Sequence, residues 1–169
     1  MILNTRHFGE IVVREEDIIT FEEGLPGFED EKKFVILDTC APGEAGEPVF
    51  RWLQCVDNPM LAFAIADPFV FVPEYEVELD EDVIEPLEIE KESDMVLYAI
   101  TVVPGDIRKT SINLKAPLVI NIKNNKGMQV ILDTNKYSIR HYIMDEAAIQ
   151  EVRANASLNE EKRPVYSNR

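Results

Sequence analysis

Apolar residues along this chain of 169 residues recur in short runs rich in Val, Ile and Phe, interrupted by Gly, Pro, Asn and Asp. Runs of that length are the pattern of many short strands. Strands are predicted at Ile2 to Phe8, Glu10 to Val13, Ile18 to Phe21, Phe34 to Thr39, Val49 to Val56, Leu61 to Ala66, Tyr75 to Leu79, Met95 to Val103, Ser111 to Leu114, Leu118 to Ile122, Met128 to Leu132 and Ser138 to Ile143. About a dozen strands in one domain must close or stack. The expected fold class is therefore all-β, mainly antiparallel: a single domain, closed or stacked, with one or two short helices.

The clearest hairpin joins the run from Leu118 to Lys123 to the run from Met128 to Leu132 through Asn124-Asn125-Lys126-Gly127, because Asn and Gly tolerate the positive φ of hairpin loops. In Phe21-Glu22-Glu23-Gly24-Leu25-Pro26-Gly27-Phe28-Glu29, Pro26-Gly27 suits the centre of a type II turn, which would bring Phe21 and Phe28 near one another. Proline biases the residue before it toward extended backbone, so Asn58 and Asp67 are expected at strand ends. A helix of one or two turns opens on Asp80-Glu81-Asp82 and should stop at Pro86. A second is expected from Asp145 to Arg153, with Ile149, Val152 and Ala156 on one stripe, followed by a polar tail to Arg169. Ala41 to Pro48 reads as a loop between two strands. The chain thus divides into a β domain over residues 1–143 and a C-terminal helix and tail over 144–169.

Charge changes this picture most. The chain holds 17 Lys+Arg against 32 Asp+Glu, a formal net charge of -15. The acids crowd into Met1 to Ile100, with 25 Asp+Glu and 6 Lys+Arg, whereas Thr101 to Arg169 has 7 and 11. Such a surface repels phosphate backbones and anionic lipid and speeds encounter with cationic partners. No direct nucleic-acid or membrane contact is expected, and a basic protein is the natural partner. The acidity is equally compatible with a merely solubilising role. Met1 to His7 lacks the layout of a secretory signal, and no apolar run approaches the roughly 20 residues of a membrane-spanning helix. Cys40 and Cys55 form no CxxC pair. A cytoplasmic protein is expected, without disulfide, zinc or cofactor.

Candidate chemistry is sparse. His7 and His141 sit beside Arg6 and Arg140 with no evident nucleophile, and GxSxG, HExxH and phosphate-binding glycine motifs are missing. Cys55 alternates with its neighbours as a half-buried strand residue does. The acids Glu74, Glu76, Glu78, Asp80, Glu81 and Asp82 lack the order and central glycine of a calcium loop. Glu74, Glu76 and Glu78 alternate with Tyr75, Val77 and Leu79, placing the acids on one face.

Three segments taken in order, FEEGLPGFEDEKKF, RWLQCVDNPMLAFAIADP and TSINLKAPLVINIKNNKGMQVIL, resemble the FliW family of flagellar assembly factors over about Ile2 to Ile143. The resemblance implies a non-enzymatic, monomeric β-barrel-like domain that binds two proteins in turn. One is flagellin, held in the cytoplasm as by a chaperone. The other is CsrA, a homodimeric RNA-binding repressor whose block on flagellin translation is relieved when the factor, freed of flagellin, captures it. On that footing Glu76, Glu78, Asp80, Glu81 and Asp82 are candidate repressor contacts. Phe21, Leu25, Phe28, Phe69 and Phe71 are candidate flagellin contacts, since amphipathic helices dock in apolar grooves. Two other readings stay open on the residues alone: an enzyme using paired carboxylates, and a structural β module without a regulated partner.

Overall fold

A computed structural model describes residues 1–38 and 49–144. The expected loop from Ala41 to Pro48, the helix from Asp145 and the polar tail lie outside the described residues.

Eleven strands occur among the described residues. They are β1 (Ile2–Thr5), β2 (Gly9–Val12), β3 (Ile19–Thr20), β4 (Lys33–Asp38), β5 (Phe50–Cys55), β6 (Ala62–Ala66), β7 (Met95–Val102), β8 (Ser111–Ile112), β9 (Leu118–Asn121), β10 (Lys126–Gln129) and β11 (His141–Tyr142). The helices are α1 (Pro68–Phe71) and α2 (Glu81–Leu87). Seven strands form a closed ring in the order β7-β6-β5-β4-β3-β10-β9 and back to β7, with β8 and β11 extending from β7 and β1–β2 standing apart as a hairpin. All pairings are antiparallel except β3 with β10, where Thr20 meets Lys126.

The ring encloses Phe21, Leu25, Phe34, Leu53, Ile65, Leu118 and Ile120. Its wall is also covered outside, which explains why Phe34-Val35-Ile36-Leu37 reads as an unbroken apolar run. Phe34 and Ile36 point into the ring, while Val35 and Leu37 point outward beneath the β1–β2 hairpin, packed with Leu3, Ile11 and Val13. A strand buried on both faces loses the polar half of its alternation. On the far side the chain from α1 through α2 straps the outer face, laying Tyr75 over Ala99, Ile112 and Leu114, and Val83 and Leu87 over Val119.

Tyr75 to Leu79, expected as a strand, belongs to none. Burial nevertheless alternates as read, with Glu74, Glu76 and Glu78 exposed and the side chains between them turned down. A period of two reports that an extended segment has one buried face; it does not require a neighbour to pair with. Phe69 and Phe71, placed by sequence in a strand connection, lie instead in α1, whose first turn is capped by Asp67 accepting from the Phe69 N–H at 2.9 Å. Helix α2 starts as expected, Asp80 accepting from the Asp82 N–H at 3.0 Å, but runs past Pro86 to Leu87. Proline in the last turn forfeits one N–H and leaves only the exposed Asp82 carbonyl without a helical partner. Glu88 at φ 56° then closes the helix, its N–H donating to Glu85 O and that of Ile89 to Ile84 O.

The β9–β10 hairpin forms, with its loop two residues earlier than the sequence implied, because pairing begins at Lys126 opposite Asn121 and Asn125 takes the positive φ of 55°. Gly127 is required for a different reason. A Cβ there would lie 2.7 Å from the Phe21 ring, so the ring fills the space that a side chain would occupy.

Candidate functional site

On the strap side a cleft of about 600 Å³ lies between the first half of β7 and the strap. Its formation follows from where β6 ends. Ala66 pairs with Ala99, and the next residues are Asp67 and Pro68, where the chain leaves the sheet as α1. Among the described residues, Met95 to Tyr98 therefore have β9 on one side and no strand on the other. The floor is Met95, Val96, Leu97 and Tyr98, and Tyr75 to Glu78 form the opposite wall. Carboxylates of Asp67, Glu76, Glu78 and Glu92 stand around it, with Phe69 at the rim.

Among the described residues lining this cleft there is one cation. Arg51 is 3% exposed, lies 5.8 Å from the Tyr98 ring centroid, and donates from Nε to Asp38 Oδ1 at 2.7 Å. Its charge is thus met by Asp38, and the mouth of the cleft is left to the acids. Behind the opposite wall, the Tyr75 hydroxyl donates to the Leu114 carbonyl at 2.6 Å, and burial pushes its phenol far above the ordinary range. At the start of β7, burial alone would raise the Asp94 carboxyl. Lys123 at 3.1 Å and the Lys91 N–H at 3.0 Å outweigh that and hold it below the usual carboxylate range. These contacts fix both walls.

The five acids singled out by sequence separate into two groups. Glu76 and Glu78 line the cleft. Asp80, Glu81 and Asp82 form the first turn of α2, where Asp80 is committed as the cap. Of the five apolar candidates, Phe21 and Leu25 are core residues at 0% and 1% exposure, and Phe71 is half-buried against Phe50. Phe28 and Phe69 are exposed, at 40% and 42%. The expected turn is present, the Phe28 N–H donating to Leu25 O at 2.7 Å with Gly27 at φ 85°. It does not pair the two aromatics as anticipated: Phe21 meets Phe34 edge-on at 5.4 Å, and Phe28 meets Phe63 at 5.2 Å. Sequence reasoning missed the floor of the cleft, since an open strand edge depends on where the neighbouring strand stops. The signal was present in Asp67-Pro68, which marks that stop.

Cys55 is buried on β5 beside Glu31, and burial pushes its thiol up to about 11. His7 stacks on Trp52 at 5.6 Å, and His141 lies on β11. Among the described residues no group of three His, Cys, Asp or Glu is placed to hold a metal ion, and no helix is long and apolar enough to cross a membrane.

The family model described as FliW protein matches residues 2–143. Flagellar assembly factor FliW of Ruminiclostridium cellulolyticum is 47% identical over 152 residues, covering 90% of this chain and 100% of that relative. The corresponding protein of Alkaliphilus metalliredigens is 46% identical over 146 residues, covering 86% and 88%. A crystal structure of the flagellar assembly factor FliW superposes with a TM-score of 0.78 at 39% identity, covering 86% of this chain and 99% of that one.

Proposed function

Because the chain belongs to the FliW family of flagellar assembly factors, we propose that it acts in the cytoplasm by holding flagellin before export and, when flagellin is gone, by capturing the repressor CsrA and so releasing translation of the flagellin message. Both roles are then one binding equilibrium without covalent chemistry. The observation that carries this reading is the acidic cleft, whose carboxylates complement the basic surface expected of an RNA-binding protein. Opposite charge accelerates encounter and disfavours anionic competitors. The exposed rings of Phe28 and Phe69 supply apolar contact of the kind a flagellin helix would need.

A titration of tagged protein with flagellin and repressor together, with RNA binding by the repressor as the readout, tests the linkage. Added flagellin should restore RNA binding. Replacing Glu76, Glu78, Asp80, Glu81 and Asp82 by Ser or Asn should weaken repressor binding by about 10-fold at low salt, and by less at high salt where screening already removes the attraction. Affinity unchanged by the replacements at both low and high salt would dismiss the acidic face. For flagellin, Phe69→Ser should weaken binding by about 10-fold with little change in melting temperature, as expected for an exposed aromatic anchor. Phe71 is unsuited to that test because it packs against Phe50.

A further inference from the structure

We infer that the cleft receives an extended, basic protein segment as an additional strand on the open edge of β7, with Leu97 supplying the central pair of backbone hydrogen bonds. This deepens the partner reading above and rests on it only in taking the guest to be a protein.

The hydrogen-bonding direction of each β7 residue follows from its neighbours. The Ile100 carbonyl accepts from Asn113 N–H and the Asp94 carbonyl from Ile122 N–H, both at 2.9 Å, so even-numbered residues face β8 and β9. Odd-numbered residues face β6. Thr101 and Ala99 find Ala64 and Ala66 there. The next position, Leu97, would meet residue 68, which is Pro68 in α1. Among the described residues nothing pairs with the N–H and C=O of Leu97 on that side. The Met95 N–H is taken by Glu92 O, which ends the ladder at the other limit. The vacancy is thus the continuation of the track of β6, four residues long, or roughly 13 Å at about 3.3 Å per residue.

An unpaired edge is a template for another strand, and soluble proteins ordinarily cover or charge such edges. Here the charge is of one sign. A guest strand would alternate: side chains on one face toward Val96 and Tyr98 inside the wall, those on the other toward Glu76 and Glu78. Apolar residues suit the first set, and Lys or Arg the second. The backbone bonds would give affinity, and the alternation would give sequence preference. An acidic segment is repelled by Asp67, Glu76, Glu78 and Glu92.

The probe is acetyl-Lys-Val-Lys-Val-Lys-Val-amide, followed by amide NMR on the intact chain. The expected result is saturable binding that slows exchange of the Leu97 N–H by at least about 10-fold. The Glu-for-Lys peptide should not bind. N-methylation of the amides on one edge of the peptide should abolish binding, while methylation on the other edge leaves it intact. Glu76→Gln with Glu78→Gln should lower affinity by about 10-fold at low salt with an unchanged spectrum away from the cleft. Absence of binding, binding without protection of Leu97, or equal loss from both methylated series overturns the inference. The same amide read with intact repressor separates the two ideas. Repressor binding that leaves Leu97 exchanging freely overturns strand addition and preserves the proposed function. Peptide protection without repressor binding supports strand addition and removes the repressor from the proposed function.

Discussion

Gly24→Ala should lower the melting temperature by about 10 °C, the shift expected of roughly 3 kcal/mol in a domain of this size. Two separate effects combine. Gly24 has φ 66°, a region that costs an L-residue about 1–2 kcal/mol. A Cβ there would also lie 2.6 Å from both Cα and O of Glu29 and 2.7 Å from Phe28 O, all backbone atoms that yield only if the turn opens. That turn carries Leu25 into the core and is held by the Gly24 N–H donating to Phe21 O at 2.9 Å, so relief at one place disturbs the other. Gly27→Ala provides the contrast. Its φ is 85°, but nothing lies within 4 Å of the added carbon, and about 1 kcal/mol is expected. Thermal melts of the two variants check the difference; equal losses would show that backbone strain alone decides.

Arg51→Met should cost about 3 kcal/mol, and adding Asp38→Asn should recover more than half of it. Arg51→Met takes from Asp38 its partner at 2.7 Å, and breaking a buried pair typically destabilises by about 3–5 kcal/mol, whereas removing both members can be nearly neutral. The side chains of Arg51 and Asp38 are 4% and 13% exposed, and they sit opposite one another across β5 and β4. Some solvent at Asp38 places the expectation at the lower end of that range. A double-mutant cycle by urea unfolding reads the coupling directly. Simple addition of the two losses would mean that the pair contributes by packing rather than by charge.

How much was legible in the sequence depended on whether local chemistry or a distant partner set the outcome. The β9–β10 hairpin, the Pro26-Gly27 turn and the Asp80 cap were readable because each is decided within a few residues. The acidic stripe from Glu74 to Glu78 was readable as a one-sided extended segment but not as a strap, since pairing depends on what else lies within reach. Phe21 and Leu25 were offered as candidate partner contacts, with core packing the competing reading, because the turn geometry does not say which side meets the core. Gly127 decides that for Phe21, from the other end of the chain. The cleft was half-legible: its acids and Phe69 stood in the sequence, while its floor required knowing that β6 stops at Ala66 as β7 continues.

The parallel seam between β3 and β10 bears on how the chain is made. The Asn125 side chain donates to Glu16 O across 109 positions, and Thr20 N–H donates to Asn125 O at 2.8 Å. The β4–β5–β6 meander, by contrast, pairs between neighbours in sequence. During synthesis the meander can form early, but the barrel stays unsealed until β10 has cleared the ribosome, because a contact of such long range waits for both its ends. Until then Ile19, Phe21 and Phe34 stand open to solvent, so the growing polypeptide is most prone to aggregation just before the last wall emerges.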